Sequence, residues 1–174
     1  MKKLRSLVAG LVLTIVALSA IPVLPGSASA GTGWPIERRG KHTLNVWAVQ
    51  YLLRSHGYRL EADGIFGPQT EDRVKRFQRR HNLEVDGVIG PQTWPLLVRR
   101  LERGARGPAV KALQSRLCAN GYTLELDGIF GIRTYRAVRR FQSDVGVEVD
   151  GIVGRRDWRR LVQPIADPEY SPTC

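Results

Sequence analysis

The sequence contains few of the residues that most enzymes use for nucleophilic or metal chemistry. Its 174 residues include three histidines and two cysteines. The histidines, His42, His56 and His81, are scattered along the chain, whereas a zinc peptidase needs clustered histidine and carboxylate ligands. No cysteine stands beside a histidine, and no Ser-His-Asp arrangement can be assigned. We therefore expect no metal site and no cofactor, and we expect the three histidines to lie on the surface.

Acidic residues are also scarce relative to basic ones. The chain has 16 aspartates and glutamates against 27 lysines and arginines, and its formal net charge is +11. Three of the positive charges, Lys2, Lys3 and Arg5, lie near the N-terminus, so residues 31–174 carry +8. A basic surface favours a polyanionic partner such as nucleic acid, anionic lipid or an acidic wall polymer. Because arginine greatly outnumbers lysine, a compositional bias of the source genome explains the charge equally well.

The first 30 residues have the pattern of a secretory signal peptide. The three positive charges are followed by an apolar run at residues 7–24 and then by Ala28-Ser29-Ala30, a small-x-small cleavage signature. A membrane anchor is the alternative, because the run approaches the roughly 20 residues of a spanning helix. The cleavage signature and two prolines near the end of the run favour removal, and no cysteine follows the run to carry a lipid. We expect an exported protein without stable membrane insertion after cleavage.

The rest of the sequence is a tandem repeat. Residues 39–98 align without a gap onto residues 103–162, and nearly half of the aligned positions are identical. The signature Asp-Gly-Ile-Phe-Gly occurs at residues 63–67 and 127–131, and each copy is followed 23 positions later by a second Asp-Gly pair. This register indicates the duplication of one unit. The expected boundaries are residues 39–99 for domain 1, 103–163 for domain 2 and 164–174 for a Pro-rich tail.

Apolar residues recur at helical spacing in three segments of each unit. In unit one the first segment ends before Gly57, the second predicts a helix over residues 68–80, and the third begins at Pro91. The third segment of unit two begins at Arg155. Three short helices with one apolar stripe each can cover those stripes only by packing as a bundle. The predicted class is all-α, with two tandem three-helix domains.

The largest apolar side chains lie on these stripes and are predicted to form the core, not a sugar-stacking surface. They are Phe66, Phe77 and Trp94 in unit one, together with their counterparts in unit two. Gln78 and Gln142 each follow a core phenylalanine, and we predict that they hydrogen-bond the glycine loops and not a ligand.

The motifs of unit two occur in a specific order. Its first helix reads Val-x-x-Leu-Gln-x-x-Leu, followed by Asp-Gly-x-Phe-Gly, Ala-Val-x-x-Phe-Gln and Asp-Gly-x-x-Gly before a tryptophan. This order resembles the peptidoglycan-binding domain of type 1, a three-helix module attached to bacterial amidases, carboxypeptidases and other wall hydrolases. The resemblance covers both units and implies noncovalent binding of peptidoglycan outside the cell. Unit one departs from the pattern at Thr43, Val49 and Arg73, which favours weaker binding by that unit.

The predicted binding groove lies between the first helix and the signature loop of each unit. Asp-Gly is typical of turns, because the carboxylate accepts from nearby backbone N–H groups and glycine adopts positive φ. The same residues therefore also have structural roles. The predicted ligand-binding residues are Tyr58, Asp63, Gly64, Thr70, Tyr122, Asp127, Gly128 and Thr134.

Two carboxylate pairs invite comparison with the acid and base of a glycosidase, namely Glu84 with Asp86 and Glu148 with Asp150. They belong to a turn that both units repeat, and residues on one glycine loop do not flank a sugar from opposite sides. Only a short segment remains at each end once the leader and the two units are subtracted, which leaves no room for a catalytic domain. We expect that the chain is not an enzyme.

Cys118, on the first helix of unit two, and Cys174, the last residue, are predicted to form a disulfide that ties the Pro-rich tail onto unit two. Export makes such a bond chemically allowed. Closing a loop of that length stabilises a protein by roughly 4 kcal/mol in the chain-entropy model. Two free thiols are the alternative.

Together these patterns predict a secreted, cell-wall-associated and non-catalytic protein that binds peptidoglycan through two modules. The alternatives are an accessory or inhibitor protein of a cell-wall hydrolase and a general polyanion binder, with anionic wall polymers among its partners. Nucleic acid is disfavoured, because the protein is exported and the sequence lacks exposed aromatics interleaved with the charge.

Overall fold

A computed structural model describes residues 33–163, which form six α-helices in two groups of three. Unit one contains α1 (Leu44–Ser55), α2 (Pro68–Arg80) and α3 (Trp94–Leu97), and unit two contains α4 (Pro108–Ala119), α5 (Ile132–Asp144) and α6 (Arg155–Leu161). Within that span there is no β-strand, only isolated bridges. The predicted all-α class with two tandem three-helix domains is confirmed. The expected signal peptide and the tail with Cys174 lie outside the described residues.

The second helix of unit one begins and ends where the sequence predicts, at Pro68 and Arg80. Pro68 stands at the first helical position, where its missing N–H leaves no hydrogen bond unmade. The third helix is shorter than predicted, because it starts at Trp94 and not at Pro91. Pro95 has no N–H to donate to the carbonyl of Pro91, so the first helical turn cannot close there. In unit two α6 contains no proline and starts at the predicted residue.

Each unit packs around two phenylalanines and a tryptophan. Phe66, Phe77 and Trp94 have no exposed surface, and at most 1 % of the surface is exposed in their counterparts Phe130, Phe141 and Trp158. The prediction that these rings form the core is confirmed. Burying each of them contributes roughly 1.5–3 kcal/mol to the free energy of unfolding.

The chain just before each first helix belongs to the unit that follows it. In unit one, Glu37 forms an antiparallel bridge with Ile89, and the indole N–H of Trp94 donates to the carbonyl of Pro35 at 2.8 Å. Unit two repeats both contacts at the equivalent positions, Leu101 with Val153, and Trp158 with Arg99 at 2.7 Å. The join between the units is therefore part of unit two. The expected domain boundaries stay a prediction, and these contacts favour slightly earlier starts.

The two units pack against each other through their first helices, α1 and α4. Each of these helices is buried on two sides, although the sequence analysis assigned it one apolar stripe. The second buried stripe consists of Asn45, Ala48 and Leu52 in α1 and of Ala109, Ala112 and Arg116 in α4. Residues at i, i+3 and i+7 share one side of a helix, and Asn45 of this stripe reaches the carbonyl of Val162 in unit two.

A buried polar cluster spans one end of the interface. The carboxylate of Glu37 accepts from Thr43 Oγ1 at 2.9 Å and from Asn45 Nδ2 at 3.0 Å. The amide of Asn45 also donates to the carbonyl of Val162 in unit two at 3.0 Å. The cluster is therefore a direct polar link between the units.

Arg116 of α4 contributes the positive charge of this region. Its Nε and Nη2 donate to the carbonyl of Leu161 at 2.9 and 2.6 Å, and the side chain is buried. Burial lowers the pKa of Arg116 to about 10, against the opposing influence of the Glu37 carboxylate. The guanidinium therefore remains charged at neutral pH, inside the protein.

Two of the three histidines are not plain surface residues. His42 is exposed as predicted, but His56 and His81 are half-buried. The ring of His56 packs edge-on against Phe77 with ring centres 5.0 Å apart, and its Nε2 lies 2.8 Å from the carbonyl oxygen of Leu97. The ring of His81 lies 4.3 Å from Phe77, centre to centre. The surface prediction is wrong for both residues, because His56 at the end of α1 and His81 at the end of α2 pack their rings against the edge of the aromatic core.

Candidate functional site

The signature loop of each unit is held by a buried glutamine from the first helix. In unit one, Gln50 donates through Nε2 to Asp63 Oδ1 at 2.7 Å, and its Oε1 accepts from the backbone N–H of Gly64 at 2.8 Å. The same Nε2 lies 3.1 Å from the carbonyl of Ile65 and 3.2 Å from Thr70 Oγ1. One side chain thus satisfies the polar groups of the loop.

Unit two repeats this network almost atom for atom. Gln114 donates to Asp127 Oδ1 at 2.7 Å and to Thr134 Oγ1 at 3.2 Å, and it accepts from the N–H of Gly128 at 2.9 Å. Gly64 and Gly128 both have φ of +76°, a conformation that residues with a Cβ rarely adopt. The shape of the signature loop is therefore the same in the two units.

The later Asp-Gly loop of each unit is held in the same way by a glutamine from the second helix. Gln78 donates to Asp86 Oδ1 at 2.6 Å and accepts from the N–H of Gly87 at 2.9 Å. Gln142 donates to Asp150 Oδ1 at 2.9 Å. The predicted role of Gln78 and Gln142 as partners of the glycine loops is confirmed. Asp86 and Asp150 serve the geometry of their own turns.

The two signature carboxylates are held in the ionised form. Burial acts to raise the pKa of Asp63, but hydrogen bonds from a backbone N–H and from Gln50 outweigh it and lower the pKa below its ordinary value. For Asp127 the hydrogen bond from Gln114 is the main cause of a lowered pKa. The described hydrogen bonds of both carboxylates involve Oδ1. The other oxygen, Oδ2, is left to solvent or to a ligand.

The eight residues predicted to bind a ligand differ in how far a ligand can reach them. Both aspartates are exposed and both tyrosines are half-buried, whereas the glycines and threonines are buried: Gly64, Gly128, Thr70 and Thr134. The buried four can influence a ligand only through the shape of the loop. The exposed carboxylates and the tyrosine edges are the members of the set that offer direct contacts.

Tyr58 and Tyr122 pack against the core phenylalanine of the second helix of their units. Tyr58 meets Phe77 edge-on at 6.3 Å, and Tyr122 meets Phe141 in the same way at 6.1 Å. The hydroxyl of Tyr122 also donates to Asp144 Oδ2 at 2.6 Å. Burial, followed by this hydrogen bond, raises the pKa of Tyr122 to about 12. The predicted groove residues thus offer two kinds of contact, a half-buried tyrosine ring and an exposed carboxylate.

Two aromatic residues beside the signature loop of unit one were not predicted from the sequence. The indole of Trp47 lies directly over Gly64, since a Cβ at that glycine would stand 2.1 Å from Trp47 Nε1. The ring of Tyr51 follows one turn later, 6.4 Å from Trp47 and tilted by 33°. Unit two has Lys111 and Ser115 at the equivalent positions. This break in an otherwise close repeat was the signal that could have identified the pair.

Exposed arginines are unevenly distributed between the units. On α2 three of the basic residues have acidic partners: Lys75 pairs with Glu71 at 2.5 Å, Arg76 pairs with Asp72 at 3.0 Å, and Arg73 also pairs with Asp72. α6 carries four exposed arginines that form no ion pair within the described part of the chain: Arg155, Arg156, Arg159 and Arg160. The third helix of unit one has no basic residue. The strongest uncompensated positive charge therefore lies on unit two.

Residues 33–163 contain no group of three or more histidine, cysteine, aspartate or glutamate side chains arranged to hold a metal ion. None of the helices in the same span has the length and apolar character needed to cross a bilayer.

The architecture defines an all-helical protein of two similar modules with four glutamine-braced glycine loops. The model of the family described as "Putative peptidoglycan binding domain" matches twice, over residues 43–97 and 106–161. The chain belongs to this family and contains two tandem copies of its domain.

The two curated relatives below match over a length similar to that of one copy of the domain. The spore cortex-lytic enzyme of Bacillus cereus is 48% identical over 64 residues, which are 36% of this chain and 25% of that enzyme. The zinc D-Ala-D-Ala carboxypeptidase of Streptomyces albus G is 39% identical over 75 residues, 41% of this chain and 29% of that enzyme. The crystal structure of the SleB N-terminal domain has 44% identity and a TM-score of 0.36, covering 37% of this chain and 90% of that one. The chain thus spans less than a third of the length of these two enzymes.

Proposed function

We propose that this protein is a secreted, non-catalytic binder of bacterial cell-wall peptidoglycan. The observation that carries the proposal is that both units match one peptidoglycan-binding family over nearly their whole length. The relatives named above are a spore cortex-lytic enzyme and a D-Ala-D-Ala carboxypeptidase, which resemble this chain over 64 and 75 residues. The shared part is the module, and binding without hydrolysis is the function we assign to two modules in tandem.

The non-catalytic part of the proposal rests on how the carboxylates are used. Asp86 and Asp150, one member of each carboxylate pair, accept through Oδ1 from a glutamine amide and from the backbone N–H two residues later. These hydrogen bonds give both carboxylates a role in shaping their turns. A glycosidase needs instead a protonated acid and a second carboxylate on opposite sides of a sugar.

For the contact residues we propose the two exposed carboxylates of the signature loops, Asp63 and Asp127, with the half-buried tyrosines Tyr58 and Tyr122 as a second contact surface. Gly64, Thr70, Gly128 and Thr134 take part by holding the loop backbone in place. The support is the free Oδ2 of each carboxylate and the partial exposure of each tyrosine ring.

Two modules with a packed interface suit a repeating polymer. Tethering two weak sites raises avidity by roughly 10²–10⁴ when both can engage one ligand. The packing of α1 on α4 and the polar link from Asn45 to Val162 hold the modules in one relative orientation. A fixed orientation favours two sites on a rigid glycan mesh over two sites on a flexible chain.

We also propose export through the predicted signal peptide and a disulfide between Cys118 and Cys174. Cys118 is half-buried near the end of α4, with Sγ 3.4 Å from the carbonyl oxygen of Leu124. Mass spectrometry of the mature protein tests the bond. We expect alkylation only after reduction, and alkylation without reductant would refute it.

The uncompensated arginines of α6 favour one competing function, general binding of anionic wall polymers through charge. Co-sedimentation of the mature protein with purified sacculi at rising salt separates the two. Specific peptidoglycan binding predicts retention at high salt, whereas charge binding is screened, since the Debye length falls from about 10 Å at 0.1 M to about 3 Å at 1 M. Absence of pelleting at any salt concentration would refute the proposal and favour a protein partner such as a wall hydrolase. Release of soluble sugar or peptide by the purified protein would refute the non-catalytic part.

A further inference from the structure

Unit one has an aromatic surface beside its signature loop that unit two lacks. Trp47, Tyr51 and Arg54 stand at i, i+4 and i+7, so they form one row along α1. The Arg54 guanidinium lies 5.9 Å from the centre of the Tyr51 ring, and the ring centre of Trp47 lies 6.4 Å from the same point. At 1.5 Å per residue the row is about 10 Å long. We call these three residues the α1 platform.

The platform rests on a glycine of the signature loop whose backbone N–H is hydrogen-bonded. A Cβ at Gly64 would stand 2.1 Å from Trp47 Nε1 and 2.7 Å from two ring carbons, so the indole is seated on the glycine backbone. That glycine is itself held by Gln50. The indole is therefore positioned by a fixed support, which lowers the entropy lost when a ligand binds to it.

The platform also carries hydrogen-bonding groups without partners. In the described part of the chain, the indole N–H of Trp47 and the hydroxyl of Tyr51 have no hydrogen-bond partner, and neither atom is sealed from solvent. By contrast, the indole N–H groups of Trp94 and Trp158 donate to backbone carbonyls. Next to the platform, Oδ2 of Asp63 is a free acceptor. Two half-exposed rings thus lie beside open donors and an open carboxylate oxygen.

This combination matches the chemistry of an amino sugar. The ring C–H groups of a β-linked hexosamine carry partial positive charge and pack on the negative face of an aromatic ring. Its hydroxyl and acetamido groups need both donors and acceptors at the rim. The peptide stems of peptidoglycan carry carboxylates, which complement the exposed guanidinium of Arg54.

We propose that the α1 platform of unit one is a subsite for two consecutive N-acetylhexosamine rings of the glycan strand, with Trp47 and Tyr51 beneath the rings and Asp63 accepting from a sugar hydroxyl or amide. This inference rests on the proposed peptidoglycan binding and assigns the glycan to unit one. It reverses the expectation that unit one is the weaker module. Unit two, with Lys111, Ser115 and Cys118 in the same row, has no ring for a sugar.

The direct test is a titration of the ¹⁵N-labelled mature chain with a β-1,4-linked N-acetylglucosamine tetramer, followed by the four indole N–H resonances. We expect the Trp47 resonance to shift, and the hydrogen-bonded Trp94 and Trp158 resonances to stay in place. The Trp47→Phe variant assigns the resonance. No shift of the Trp47 signal at saturating tetramer would overturn the proposal.

The second arm exchanges residues between the units. Trp47→Lys with Tyr51→Ser introduces the side chains that unit two carries over the same loop geometry, so the fold is expected to persist, as circular dichroism will check. We expect tetramer binding to weaken roughly tenfold or more, a change of 1.4 kcal/mol. Should Trp47→Lys unfold the chain, Tyr51→Ser alone and Trp47→Phe still predict weaker binding.

Tyr135→Glu is the matched control, since Tyr135 covers Gly151 in unit two with a Cβ distance of 2.2 Å and Glu71 is its counterpart in unit one. This variant is expected to bind the tetramer like the wild type. Equal losses of binding in Tyr135→Glu and in the platform variant would refute the assignment to α1.

Pelleting with sacculi distinguishes failure of the glycan subsite from failure of the proposed peptidoglycan binding. A wild-type protein that pellets but whose platform variants bind the tetramer unchanged leaves peptidoglycan binding intact and overturns this inference; a wild-type protein that does not pellet refutes the proposed function itself.

Discussion

The two units have the same skeleton and different surfaces. Their glutamine networks agree closely, as in the distance of 2.7 Å from Gln50 to Asp63 and from Gln114 to Asp127. Their outward residues do not agree: Trp47 lies over one signature loop, and Lys111 over the other. Duplication has kept the residues that build the loop and changed those beside it. The comparison indicates that the loop backbone is a shared scaffold and that the two units differ in the side chains beside it.

The interface is the second place where the units differ. Unit two buries the charged Arg116 where unit one has the apolar Leu52, and unit one buries Glu37 where unit two has Leu101. The interface is therefore asymmetric although the helices that form it are repeats. The carboxylate of Glu37 in unit one acts electrostatically on the buried guanidinium of Arg116 in unit two, although the described residues show no direct ion pair between them.

The largest expected effect comes from making the interface symmetric. Arg116→Leu leaves the buried Glu37 carboxylate without its compensating charge and removes two of the three donors to the Leu161 carbonyl. We expect a loss of about 3 kcal/mol in the free energy of unfolding, measured by urea denaturation. The double variant Glu37→Leu with Arg116→Leu is expected to lose at least 1 kcal/mol less than the two single losses combined. Additive losses would contradict a coupled pair.

The next effect tests whether the two skeletons are equivalent. Gln50→Leu and Gln114→Leu each leave a buried glycine N–H and an aspartate without the amide that satisfies them. We expect each substitution to lower the free energy of unfolding by about 2 kcal/mol, and by similar amounts in the two units. Gln92→Leu, at an exposed position, serves as the control and is expected to stay within about 0.5 kcal/mol of the wild type. A loss confined to one unit would contradict the shared role.

A smaller effect is expected when the glycines of the two signature loops are replaced by alanine, and it differs with the side chain that lies over each glycine. Gly64→Ala and Gly128→Ala both place a Cβ at φ of +76°, which costs about 1–2 kcal/mol. In unit one the Cβ also displaces the Trp47 indole, whereas in unit two it stands 3.2 Å from the flexible Lys111 side chain and 3.3 Å from a backbone carbonyl oxygen. We expect the larger loss for Gly64→Ala, accompanied by a change in tryptophan fluorescence that Gly128→Ala does not produce. Equal losses with unchanged fluorescence would contradict the seating of Trp47 on Gly64.

The smallest effect is a pH dependence that belongs to unit one. Burial lowers the pKa of His56, outweighing the hydrogen bond with Leu97 that raises it. As the pH falls, the unfolded chain binds a proton at His56 at a higher pH than the folded chain does. The contribution of His56 to the free energy of unfolding is therefore complete above the ordinary histidine pKa of about 6.5. It is lost as the pH falls toward the lower pKa of the folded state. Unit two has Asn120 in this place, with Nδ2 donating to the carbonyl of Leu161 at 3.2 Å.

The variant His56→Asn therefore places the asparagine of unit two at the equivalent position of unit one. We expect it to weaken the loss of stability between pH 7 and pH 5, as measured by urea denaturation at each pH. An NMR titration of the wild type gives the independent check, because the pKa of His56 is expected to lie below the ordinary histidine value of about 6.5. A His56 pKa at or above about 6.5 would contradict the assignment.

Part of the candidate site followed from the sequence. The role of Gln78 and Gln142 was predictable, because a polar residue beside a core phenylalanine must find a nearby partner, and the Asp-Gly loops offer one. Trp47 and Tyr51 were not found, because they lie outside the apolar stripe of α1 and recur nowhere in unit two. A comparison of repeats identifies the residues that the units share, but it does not assign a role to residues that occur in one unit alone.

By itself, the amino-acid sequence determined the duplication, the number and order of the helices, the turns at the Asp-Gly pairs and the aromatic core. These features depend on residues close in the chain or on a period that local sequence displays. The tertiary structure alone decided that α1 packs on α4, that Arg116 and Glu37 are buried together and that an indole rests on Gly64. Hydrophobic periodicity reports that a helix face avoids water, but which surface covers that face depends on residues far away in the chain, and only the folded packing brings them together.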